Sequence, residues 1–203
     1  MESRPPTTRT RRRMRAAERR AQLLEVARKV FGRYGFHRVT MDTVAKEAGV
    51  TKPILYDHFP SKRDLYLALL EADLANLRER LHDALDRSAG NRERIRGSFQ
   101  AYFDFVDEHA EGFRLLMQEA SGPERQFREM VGQLRSEIMG RVTEIIVRES
   151  KGRVDRSEAE IVALGLIGMV EFTAQRNPGA QKAERRQAVD TLVKLAWKGI
   201  TGL

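Results

Sequence analysis

Cysteine is absent from this 203-residue chain. That excludes disulfides, thiolate metal sites and a cysteine nucleophile, and it fits a reducing cytoplasm. Aromatic residues make up only 7%, with one tryptophan, so aliphatic side chains must build most of the core. No apolar run reaches the roughly 18 residues that span a bilayer, and no apolar signal region follows the arginine-rich N-terminus. A membrane partner is therefore not expected. Neither a Gly-rich phosphate loop nor a Gly-x-Ser-x-Gly elbow is present. The histidines His37, His58, His82 and His109 are scattered. Asp104, Asp107, Glu108 and His109 cluster, but no second helix of the Glu-x-x-His kind accompanies them, so they read as a charged face. The expectation is a protein that is not an enzyme and carries no cofactor and no metal.

What is present is charge, unevenly distributed. Residues 1–63 hold 16 Lys+Arg and 6 Asp+Glu, whereas residues 64–203 hold 21 and 23. The whole excess of positive charge, +8 for the chain, thus sits on the first third. A polyanionic partner for that part is the direct reading.

Hydrophobic periodicity predicts an all-α chain of about nine helices, with no convincing alternation of period two. Residues 1–13, with five arginines and two prolines, read as a disordered basic arm. A helix follows from about Met14 to Tyr34, stopped at Gly35. Thr40 caps a helix over Met41–Ala48, which Gly49 breaks. Thr51 caps the next, with Pro53 in its first turn and Phe59-Pro60 ending it. Ser61-Lys-Arg-Asp64 opens a long helix to about Ala89. Further helices cover about 92–109, 111–119, 124–149, 157–176 and 184–200, the fourth of these opened by a capping box over Ser157–Glu160. Asn177-Pro-Gly179 reads as a turn.

The two short helices form a helix-turn-helix, the shape that seats a helix in the DNA major groove. Ala45 is small enough for a close crossing, and Gly49 tolerates positive φ. Ile54, Leu55 and Phe59 are expected to face inward, leaving Lys52, Pro53, Tyr56 and Asp57 outward. Tyr56 is suited to a phosphate, and Lys52 to a phosphate or a guanine edge. Thr40 and Thr51, at helix starts, are placed to bind phosphate with the free backbone donors there, as is Lys62. His58 reads either as a further contact or as a half-buried spacer.

Thr40 through Lys62, with Phe31 and Gly35 upstream, resembles the N-terminal domain of TetR-family transcriptional regulators over about Leu23–Leu70. The resemblance implies a three-helix DNA-binding domain (14–63), a linking fourth helix, a ligand-binding and dimerisation domain (64–203), and a homodimer on a palindromic double-stranded DNA operator. It also implies backbone-phosphate contacts at Thr40, Thr51, Tyr56 and Lys62. Lys52-Pro53 departs from the small residue and glycine common there. Segments Phe103–Leu116 and Ala163–Val170 are similar to those of a narrower group within the family, the acyl-CoA-responsive regulators of fatty-acid synthesis. That likeness implies a small hydrophobic effector, an acyl-CoA or a fatty acid.

The remaining residues fit such a layout. Ile161–Val170 has no polar face and is expected to be buried on all sides. Gly165 and Gly168 weaken a helix by about 1 kcal/mol each, which makes sense if another helix approaches closely. With Met169 and Phe172, and with Leu192, Leu195, Ala196 and Gly199 of the last helix, they are expected to form a two-fold four-helix interface. Phe99, Tyr102, Phe103, Phe113, Leu116, Met117, Met139, Val142 and Ile146 are candidates to line a ligand pocket between bundle helices. A ligand-independent DNA-binding or architectural dimer is the alternative reading.

Overall fold

The computed structural model describes residues 16–87, 90–120, 122–176 and 181–200. The arm expected at 1–13, the helix start at Met14, the helix end at Ala89, and the turn at 177–179 lie outside them. Among the described residues every regular element is a helix: α1 (Ala16–Tyr34), α2 (Met41–Glu47), α3 (Lys52–His58), α4 (Lys62–Arg87), α5 (Asn91–Glu108), α6 (Ala110–Ala120), α7 (Arg125–Ser150), α8 (Arg156–Arg176) and α9 (Lys182–Ile200). The chain is all-α, as its periodicity requires.

Local chemistry sets the short helices. The Thr40 hydroxyl accepts the Thr43 N–H at 3.2 Å, which satisfies one orphan donor of α2. Gly49 takes φ +64°, a left-handed turn that a side chain resists. Thr51 occupies the N-cap of α3 without a side-chain capping bond, and Pro53 stands in the first turn. Before α4, Ser61 Oγ accepts the Asp64 N–H at 3.1 Å and donates to the Asp64 carboxylate at 2.7 Å. The capping box of α8 lies two residues earlier than Ser157–Glu160. Asp155 accepts the Glu158 N–H at 2.9 Å, and Glu158 accepts the Asp155 N–H at 3.0 Å. Two overlapping boxes were available in the sequence; the helix starts from the first, where an aspartate caps as well as a serine.

One continuous hydrophobic core runs from α1 to α9. Leu23, Ala27, Phe31, Val44, Leu55 and Phe59 hold α1, α2 and α3 together, all of them buried. The 26-residue α4, about 39 Å long, is shared. Its first turns bury Leu65, Tyr66 and Leu69 beside α1, while Leu74, Leu77, Leu81 and Leu85 enter the bundle behind. The expected division at residue 63 therefore falls at the head of a helix that continues through both parts.

Candidate functional site

The seven-residue α3, about 10 Å long, turns one side to the core. Leu55 and Phe59 are wholly covered there. Ile54, expected to face inward with them, points outward and is 38% exposed. Only the i, i+4 pair fits so short an inner side, and Ile54 lies one residue, about 100°, round from Leu55. Thr40, Thr51, Lys52, Pro53, Tyr56 and Asp57 are all exposed, so with Ile54 they form one outward surface. Lys52 Nζ lies 2.8 Å from Asp42 Oδ1 and 6.0 Å from the Tyr56 ring. That carboxylate raises the Lys52 ammonium above its ordinary range. His58 is half-buried, its ring beside Phe59. Lys62 is also half-buried: its ammonium donates to the Phe36 carbonyl at 3.0 Å and sits 4.5 Å over the Phe36 ring. A projecting helix edge carrying a phenol, an ammonium, a threonine hydroxyl and one apolar side chain has the donors that phosphates accept and the apolar contact that a thymine methyl offers.

Behind this head, α4, α5, α7 and α8 enclose a cavity of about 320 Å³, with Leu116 and Met117 of α6 and Trp197 of α9 completing its wall. Of the expected lining residues, Phe99, Tyr102, Leu116, Met117, Val142 and Ile146 line it. Phe103 and Phe113 pack in the core away from it, and Met139 stands off the wall with its carbonyl accepting the Thr143 hydroxyl at 2.9 Å. The helix turn explains the split. The wall of α5 is Asn91, Arg94, Ile95, Ser98, Phe99 and Tyr102, a three-and-four repeat that leaves Phe103 one residue round. Likewise Ile138 and Val142 of α7 face the cavity and Met139 does not.

Two polar places break this apolar wall. At one end Arg94 reaches Asn91 Oδ1 at 2.6 Å and Glu149 at 3.6 Å, with Arg153 beside them. Further in, Arg135 forks onto Glu171 at 3.0 and 3.2 Å, near Tyr102. The Tyr102 residue is 5% exposed. Its hydroxyl and that of Ser98 are buried, and among the described residues neither finds a hydrogen-bond partner. Burial, and then the Glu171 carboxylate, push the Tyr102 phenol above its ordinary range, while Arg135 offsets part of this. The sequence did carry a signal for Ser98 and Arg135: each interrupts an apolar stripe, between Ile95 and Tyr102 and between Val131 and Ile138 respectively.

A buried joint connects cavity and reading head. The α6 helix, which supplies Leu116 and Met117 to the cavity, packs on α1 and α4. The Arg28 guanidinium of α1 holds Asp73 of α4 at 2.7 and 2.9 Å. A Cβ on Gly112 of α6 would stand 2.4 Å from Asp73 Oδ2. The Tyr66 hydroxyl donates to Glu119 of α6 at 2.8 Å, while its ring meets Phe31, Phe36 and Phe127 at 4.8–5.1 Å. Arg114 donates to the Gly32 carbonyl of α1.

On the opposite flank, α8 is not covered on all sides. Ala163, Leu166 and Val170 face the core, but Ile161, Leu164 and Phe172 are 70%, 58% and 74% exposed. Gly165 is exposed beside them, and Gly168 and Met169 are half-buried. On α9, Leu195 and Gly199 are exposed, whereas Leu192 and Ala196 are buried within their own chain. The inner side of α9, with Val189 and Val193, packs on α5 and takes those two with it. Among the described residues nothing comes within 4 Å of a Cβ placed on Gly165, Gly168 or Gly199, so no described helix of the same chain makes the close approach expected there.

Comparison with known proteins agrees with this architecture. Residues 23–69 match the family of bacterial regulatory proteins of the tetR type, and residues 91–199 match the tetracyclin repressor-like C-terminal domain. The HTH-type transcriptional activator FasR of Mycolicibacterium smegmatis is 34% identical over 185 residues, covering 91% of this chain and 84% of the relative. The nucleoid occlusion factor SlmA of Vibrio atlanticus is 31% identical over 167 residues, covering 80% and 85%. A TetR-like transcriptional regulator from Rhodococcus sp. RHA1 superposes with a TM-score of 0.74 at 29% identity, over 94% of this chain and all of that one. The chain belongs to the TetR family. It is a regulator of transcription, from a family of DNA-binding regulators and not of enzymes. No helix among the described residues is long and apolar enough to cross a membrane.

Proposed function

We propose that two copies pair through the open faces of α8 and α9, that each inserts α3 into the major groove of a palindromic operator, and that a hydrophobic effector in the cavity sets the affinity for that operator. The observation that carries this reading is the position of the cavity: α4 and α6 wall it, and the same helices grip α1. An occupant that displaces α6 pushes on the Arg28–Asp73 pair and on Tyr66, and so shifts the angle of α1, α2 and α3. Ligand and DNA are then coupled through their different affinities for two arrangements of one body.

The wall is leucine, isoleucine, valine and phenylalanine over most of its length, which suits an acyl chain. Arg94 and Arg153 at one end offer the cations that a carboxylate or a CoA phosphate requires. Tyr56 and Lys52 of α3, with the N-cap residues Thr51 and Thr40, act on phosphates, and Lys52 and Ile54 on base edges; His58 packs beside Phe59 and Lys62 is held on Phe36. The relative SlmA, a nucleoid occlusion factor by name, favours a ligand-independent DNA-binding dimer as the second reading. The test is twofold. Selection from a random duplex pool should return an inverted repeat bound by an even number of chains. A panel of fatty acids and acyl-CoAs should then contain members that change its affinity. If panel members bind tightly and none alters DNA affinity, the second reading stands.

A further inference from the structure

The orphaned hydroxyls in the cavity wall are the feature that the preceding reading leaves unused. An apolar pocket for a plain hydrocarbon chain has no need of Ser98 or Tyr102; alanine and phenylalanine would fill the same wall. Leaving a buried hydroxyl without a partner is destabilising. The two lie four residues apart on α5, hence on one side of the helix and about 6 Å apart along it, and both belong to the cavity lining. Arg135 and Glu171 line the same stretch. Their forked pair leaves this place polar with no net charge.

We infer that Ser98 and Tyr102 form an internal subsite for one neutral oxygen, a hydroxyl or keto group carried part-way along an aliphatic ligand. This rests on the cavity being the effector site. A carboxylate does not suit the place, because Arg135, the one cation there among the described residues, is already paired and Glu171 would repel a second anion. A neutral oxygen accepts from the phenol and the serine and keeps the forked pair intact. Arg94, four residues before Ser98 and eight before Tyr102 on α5, marks the polar end. The oxygen therefore falls about 6–12 Å along the chain from a head group held there, in the middle of a long acyl chain.

The test uses octadecanoate and its positional series of monohydroxy derivatives, each below its aggregation limit. Trp197, the chain's one tryptophan, lines the cavity, so its emission reports binding. The wild type should bind one mid-chain isomer about tenfold or more tighter than octadecanoate. Tyr102→Phe keeps the ring and removes the hydroxyl. It should bring that isomer down to the affinity octadecanoate has for the same variant, and Ser98→Ala should narrow the gap between them. Equal binding of all isomers by the wild type overturns the subsite and leaves the effector site standing, as does an equal loss for octadecanoate in both variants. If no member of the series binds, the acyl-effector reading falls and the subsite with it.

Discussion

Phe172 gives the sharpest handle on how two copies meet. A phenylalanine side chain offers on the order of 200 Å², and Phe172 is 74% exposed in the single chain, which leaves roughly 150 Å² open. Covering that area stabilises by about 4 kcal/mol at ~25 cal/mol per Å². Truncation to alanine keeps part of the contact, and buried area converts only partly into affinity, so about 2 kcal/mol per copy is expected. A two-fold interface presents the residue twice; the loss is then about 4 kcal/mol per dimer, near a thousandfold in Kd. Sedimentation across a dilution series reads this directly. Phe172→Ala should sediment as a monomer at concentrations where the wild type is a dimer, with helical circular dichroism retained because nothing in the core is touched. A wild type that is monomeric at micromolar concentration, or a variant dimer of unchanged affinity, refutes the reasoning.

Other consequences concern the reading head, the joint and the buried tyrosines. Tyr56→Phe should weaken binding by on the order of 1 kcal/mol per phosphate contact on operator and random duplex alike; anisotropy showing loss on the operator alone would instead make Tyr56 a base reader. Gly112→Ala forces a methyl against Asp73 and should lower the melting temperature, since about 1–3 kcal/mol of overpacking exceeds or cancels the ~1 kcal/mol of helix propensity gained. Gly132→Ala, which meets nothing within 4 Å among the described residues, should raise it. The Tyr66 and Tyr102 phenols are held above their ordinary range, by burial first and then by Glu119 and Glu171 respectively. The folded chain thus keeps protons that the unfolded chain, with phenols near 10.0, gives up. Stability should be unaffected below that pH and fall above it by up to about 1.4 kcal/mol per pH unit for each tyrosine. Urea melts from pH 9 upward check this, and a flat profile contradicts it.

The short-range features of the fold were legible because their causes are local. Thr40 as a cap, Gly49 at a left-handed turn, Pro53 in a first turn and Phe59-Pro60 as a stop each need only their neighbours. Periodicity also placed Phe99, Tyr102, Val142 and Ile146 on inward faces. It does not say what lies opposite an inward face. Phe103 and Phe113 therefore went to the core, and Met139 to the back of α7. Leu192 and Ala196 turned to α5 for the same reason, leaving Leu195 and Gly199 outside. Ile54 was misplaced because a helix of two turns has too narrow an inner side for a third apolar residue. The joint was out of reach altogether. Arg28 and Asp73 are 45 residues apart, Tyr66 and Glu119 are 53 apart, and nothing local marks either pair.

The most direct test of the coupling is a linkage measurement. An acyl ligand's affinity is measured with and without saturating operator duplex, and the operator's affinity with and without saturating ligand. The account predicts that the two ratios are equal and differ from one by about 5–150-fold. A ligand that binds the cavity tightly while both ratios stay at one would contradict it.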